Sequence, residues 1–110
     1  MKYEVVLTRE AEHNVRSILA WYSDRSQSAA ERWYAAFFKS IESLSNYPER
    51  YSFARENSRF PIELRQLNFG GGRKSTHRII CTIRGARVVV YAVRHVAQQD
   101  WRPDDESVST

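Results

Sequence analysis

The chain has one cysteine, Cys81, among 110 residues. A lone thiol excludes an intramolecular disulfide framework and fits a reducing compartment. No apolar run approaches the length of a membrane span. Charges interrupt MKYEVVLTREAE too early for a signal-peptide core, so the expected location is cytoplasmic. Three of the four glycines stand together as Gly70-Gly71-Gly72. No Gly-Lys-Ser/Thr motif is present and no helical pattern follows them, which excludes a phosphate loop and leaves a flexible hairpin tip. His13, His77 and His95 lack the spacing and companions of a metal site, and the Ser, His and Asp residues form no triad. The expectation is no metal and no cofactor. Repeats, low-complexity segments and interdomain linkers are also missing. One domain is expected over residues 1–102, with an acidic, disordered tail over 103–110.

What is present argues for a folded globule. Hydrophobic residues make up 42% and aromatic residues 13% of the chain, enough for one core without staples. Charge is unevenly spread. Residues 1–49 hold 6 basic and 7 acidic groups, whereas residues 50–102 hold 11 basic and 3 acidic groups. Arginine supplies all but one of the bases in the second block. Arginine grips phosphate and carboxylate with defined geometry, so the block points to an anionic partner, nucleic acid or an acidic protein segment.

Along the chain, Lys2 to Leu7 alternates as a first strand. Thr8 suits an N-cap, with Glu10 and Glu12 near the positive end of the helix it starts. Ala11, Val15, Ile18, Leu19 and Tyr22 recur at helical spacing. Ser28 to Glu31 reads as a capping box for a second helix, whose stripe is Ala30, Trp33, Tyr34, Phe37, Ile41 and Leu44. Asn46-Tyr47-Pro48 ends it, and the short link between the helices predicts an antiparallel hairpin. ERYSFARENSRFP, residues 49–61, has no period and reads as a loop that drops Phe53 or Phe60 onto the core.

Three strands follow, Ile62 to Phe69, Thr76 to Arg84 and Arg87 to Arg94, the last two joined by Gly85-Ala86. A two-residue turn with Gly first suits a type II′ hairpin and sets Arg84 opposite Arg87. Continued outward, this register pairs Ile83 with Val88, Cys81 with Val90 and Ile79 with Ala92 on one apolar face. The other face pairs Ile80 with Tyr91, Arg78 with Val93 and Thr76 with His95. Strand, helix, helix and three strands make an α+β domain: an N-terminal strand, an antiparallel helical hairpin and a three-stranded antiparallel meander. The helices are expected over Ile79, Cys81, Ile83, Val88 and Val90. The face with Arg78, Tyr91 and His95 is expected to be open.

TREAEHNVRSILAWY, LSNYPER, ELRQL, THRIICTI and VVVYAVRHVAQQDW follow one another in an order and spacing that resembles the RelE/ParE superfamily of bacterial type II toxins, also known as plasmid stabilisation proteins. The resemblance covers nearly the whole chain to Trp101 and implies the fold just derived. It also implies a growth-inhibiting toxin held as a hetero-oligomer by a cognate antitoxin. RelE-like members cut messenger RNA on the ribosome, and ParE-like members poison DNA gyrase. Arg78 falls where RelE-like nucleases keep a catalytic arginine, and His95 lies near the place of a nuclease histidine. VAQQDW departs from the basic residue and tyrosine that RelE-type nucleases carry there, which favours the ParE-like reading.

The two readings differ on whether the chain is an enzyme. For a nuclease, His95 would move protons, Arg78 and Arg65 would hold phosphate and Tyr91 would stack on a base. Arg78 and His95 would then stand roughly 5 to 8 Å apart on one face. For either target, Arg65, Arg73, Lys74, Arg78, Tyr91 and Arg94 are the expected contacts. Each also has a bland role: His95 bonded to backbone at a strand end, Arg78 and Arg65 in ion pairs, Tyr91 in a packed aromatic pair.

Overall fold

The computed structural model describes residues 2–102, and the acidic tail lies outside them. Strand β1 (Glu4–Leu7) leads into α1 (Arg9–Ser23) and α2 (Gln27–Asn46). Two short 3-10 turns, Pro48–Arg50 and Asn57–Arg59, precede β2 (Arg65–Phe69), β3 (His77–Arg84) and β4 (Arg87–His95). The four strands form one sheet in the order β1-β4-β3-β2. β2, β3 and β4 are the expected antiparallel meander. β1 lies beside β4 and parallel to it, Glu4 opposite Arg87 and Leu7 opposite Val90. The helical hairpin supplies the crossover that a parallel pair requires.

Local signals explain the helix starts. Thr8 has an extended backbone, and its Oγ1 accepts from the Ala11 amide at 3.1 Å. The same hydroxyl donates to the Tyr91 carbonyl at 3.0 Å, tying the helix start to β4. The second helix begins earlier than the capping-box expectation. Ser26, not Ser28, is the N-cap, with its Oγ accepting from the Ala29 amide at 3.2 Å. Ser26 is in the extended conformation that a cap needs, and Ser28 is already helical.

The helices bury their stripe on one face of the sheet. Ala11 and Val15 from α1 and Trp33, Phe37 and Leu44 from α2 meet Leu67, Phe69, Ile79, Cys81, Val88, Val90 and Val93. Trp33 lies parallel to Phe37 with ring centroids 5.6 Å apart. Two expected core members sit differently: Ile83 is half-buried near the hairpin tip, and Tyr34 is exposed on the outside of α2.

The hairpin register holds near the turn and then slips. Gly85 has φ 57° and no non-glycine residue has positive φ among the described residues, as a type II′ turn requires of Gly85-Ala86. Pairing runs as expected through Cys81 opposite Val90. A bulge then inserts Tyr91, so that Ile80 faces Ala92, Ile79 faces Val93, Arg78 faces Arg94 and His77 faces His95. One extra residue moves every later β4 side chain to the other face. Val93 joins the core under the helices, and Ala92 turns away from it.

The second face of the sheet is covered, contrary to the sequence-based expectation. The segment after α2 folds across it and forms a smaller core of Ala54, Leu64, Ile80, Ala92 and Trp101, with Phe60 and Tyr91 packed alongside. Phe60 stacks on Trp101 at 5.4 Å, whereas Phe53 is half exposed. The glycine-rich loop is also more constrained than a flexible tip. A methyl group on Gly70 would lie 2.5 Å from the Lys74 carbonyl oxygen.

Candidate functional site

The covering segment and the end of β4 meet around one buried ion pair. The Arg78 guanidinium donates to both carboxylate oxygens of Glu56 and to Gln66 Oε1 at 3.1 Å. Both partners are essentially without solvent exposure. Glu56 also accepts from the Trp101 amide at 2.6 Å, so one carboxylate fixes β3, the covering segment and the residues after β4. Burial alone would raise the Glu56 carboxyl. The bonds from Arg78 and Trp101, with the Arg78 charge, outweigh it and hold the group down to about 2. Trp101 is held further by Glu10, which accepts from its indole at 2.8 Å.

Arg78 and His95 are not neighbours on an open face. The bulge puts His95 opposite His77, on the helix side, and Arg78 on the covered side. The His95 ring is 5.2 Å from that of His77, and its Nδ1 accepts from the Ala97 amide at 3.0 Å. A single phosphate cannot touch both residues in this arrangement. His77, a site that sequence reasoning left aside, is buried with Nδ1 accepting from Trp33 Nε1 at 3.1 Å. Burial, and then the nearby His95, lower its pKa to about 4.

The remaining expected contacts divide into tied and exposed groups. Arg65 Nη1 donates to the carbonyls of Glu49 and Tyr51 at 3.0 and 2.6 Å, and its guanidinium lies over the Phe53 ring. Tyr91, the bulge residue, stacks on Trp101 at 5.6 Å. Arg73 and Lys74 are exposed on the β2–β3 loop. Arg94 lines an open polar groove of about 640 Å3 with Arg59, Gln99, Asp100 and Arg102. Burial, and then the charge of Arg78, lower the Arg94 pKa. Arg59, Gln99, Asp100 and Arg102 were not singled out by sequence. Asp100 and Arg102 flank Trp101 singly in the sequence, and no charge run marks the groove. Among the described residues no three His, Cys, Asp or Glu side chains converge as a metal site.

A second surface is apolar. Tyr34 and Phe38 are exposed on α2. Phe38, Ile41, Glu42 and Ser45 line a groove of about 250 Å3 against Val5 of the edge strand β1. The model of the family described as ParE toxin of type II toxin-antitoxin system, parDE, matches residues 5–100. The chain belongs to this ParE toxin family. A solved structure described as the chromosomal ParDE TA system from P. aeruginosa superposes with a TM-score of 0.68 and 14% identity. The match covers 86% of this chain and 97% of the other, a likeness of fold. No curated protein matches by sequence. The fold is thus that of a type II toxin, and no helix among the described residues is long and apolar enough to cross a membrane.

Proposed function

We propose that the chain is the toxin half of a toxin–antitoxin pair, that it inhibits growth by poisoning DNA gyrase in the cytoplasm, and that it acts by binding, without catalysis of its own. The observation that carries this reading is the state of Arg78. Its guanidinium is taken up by Glu56 in the interior, and His95 lies on the other side of the sheet. Metal-free RNA cleavage needs a charge at the phosphorane and a proton carrier at the same phosphate. That pairing is what the ribosome-dependent endoribonuclease alternative assigns to Arg78 and His95.

A cognate antitoxin completes the pair. The exposed Tyr34 and Phe38 beside the groove at Val5 and Ile41 offer an apolar seat next to an edge strand. An amphipathic antitoxin segment seated there would cover surface that otherwise stays wet. The experiment induces the chain in cells with and without the small reading frame beside its gene. Expected are growth arrest, a DNA-damage response, no codon-linked cuts by primer extension on messenger RNA, and rescue by the co-purifying neighbour. Cuts that vanish in Arg78→Ala and His95→Ala would replace this reading with the nuclease.

A further inference from the structure

We propose that the groove lined by Arg59, Arg94, Gln99, Asp100 and Arg102 holds the phosphate backbone of DNA. The choice of DNA over other polyanions rests on the gyrase reading. The groove itself rests on geometry. Three guanidinium groups reach it from separate stretches: Arg59 from the second 3-10 turn, Arg94 from the end of β4, and Arg102 from beyond Trp101. The only carboxylate among the described lining residues, Asp100, is already engaged by Arg55 at 2.8 Å and by Arg59. Arg94 spends one Nη2 bond on the Gln99 carbonyl at 2.8 Å. Glu56 and Glu10 lie within electrostatic reach of Arg94, and Arg78 and Arg55 oppose them. Neither Arg94 nor Arg102 forms an ion pair among the described residues. An oxyanion with several acceptor oxygens matches such donors.

The wall is also held in place before any ligand arrives. Arg55 donates to the Val96 and Gln98 carbonyls at 3.4 and 2.6 Å, which fixes the stretch after β4. The groove opens at one end of the sheet. His77 faces His95 there, so the β2–β3 loop with exposed Arg73 and Lys74 emerges at the same end. Positive groups on both the groove and the loop suit an extended polyanion better than a single carboxylate.

The test is fluorescence anisotropy of a fluorescein-labelled DNA duplex, titrated with the full chain over a range of NaCl concentrations. Arg94→Gln and Arg102→Gln should each weaken binding severalfold at low salt. Each should also reduce the slope of log affinity against log salt by about 1, the loss of one phosphate contact. Arg84→Gln, at the opposite end of β3, should bind as the wild type does. Arg102 is exposed, so its variant carries the test even if Arg94→Gln melts early. Wild-type binding that is absent, or unchanged in both variants, overturns the proposal. So does a polyglutamate peptide that binds more tightly than the duplex and is lost in the same variants, because the groove would then seat protein. Gyrase assays separate the two readings. Poisoning without direct duplex binding removes this inference alone, and duplex binding without poisoning removes the target reading alone.

Discussion

Replacing Arg78 by methionine leaves the Glu56 carboxylate buried with only the Trp101 amide among its described donors. The drop of the Glu56 pKa from an ordinary 4.5 to about 2 corresponds to about 3 kcal/mol of folding free energy. Removing one partner of a buried pair typically costs about 3 to 5 kcal/mol, so the two routes agree. For a chain of this length that is a fall in melting temperature of roughly 12 °C or more. The pH dependence gives the mechanism away. In the wild type the folded pKa is depressed, so the stabilisation is present above about 4.5 and is lost as the pH falls toward about 2. In Arg78→Met, burial is no longer opposed by Arg78, the carboxyl pKa rises, and the protein suffers most at neutral pH. The deficit should therefore shrink between pH 7 and pH 4. Arg78→Met combined with Glu56→Leu should recover much of the loss, since an apolar pair of similar volume often replaces a buried ion pair. Urea denaturation at several pH values measures all of this. A single variant within about 1 kcal/mol of wild type at pH 7, or a deficit independent of pH, would refute the reasoning.

Three further outcomes follow from the same geometry. His77, with its pKa depressed from 6.5 to about 4, contributes stability above pH 6.5 that is lost as the pH falls through about 4; its ring should stay neutral at pH 5.5 by NMR titration, and a charged ring there contradicts its burial. Cys81 is buried and its thiol is pushed up to about 12 by burial, so a thiol reagent should label it only at the rate of unfolding, and fast labelling of the native protein would place it outside the core. Gly70→Ala should destabilise by about 1 kcal/mol or more, because its methyl meets the backbone of Lys74 first and of Thr76 next; equal melting temperatures would show that the loop rearranges freely.

Much of the architecture was legible because its signals are local. Thr8 and the stripe from Ala11 to Tyr22 state a capped amphipathic helix in one reading frame. Gly85-Ala86 between two β-rich runs states a hairpin and its first four pairs. The bulge at Tyr91 was not legible, since Tyr91 fits an uninterrupted strand as well as a bulged one. That single residue decided the site, because it carried His95 to the opposite face from Arg78. The cover over the second face was hidden for a different reason. Residues 49–61 have no period, and nothing near Glu56 announces that it will bury Arg78, 22 residues further on. Arg65 likewise found backbone carbonyls and the Phe53 ring rather than a phosphate. Nothing local could announce those partners; the two carbonyls lie 14 and 16 residues away along the chain.

The binding-toxin account is tested most directly with purified components. The chain is mixed with DNA gyrase, ATP and supercoiled plasmid, and the products are treated with detergent and protease to release trapped breaks. The account predicts linear plasmid that increases with the chain and disappears when the antitoxin is added first. A plasmid left intact by the chain, together with messenger RNA cut on ribosomes by the same preparation, would contradict it.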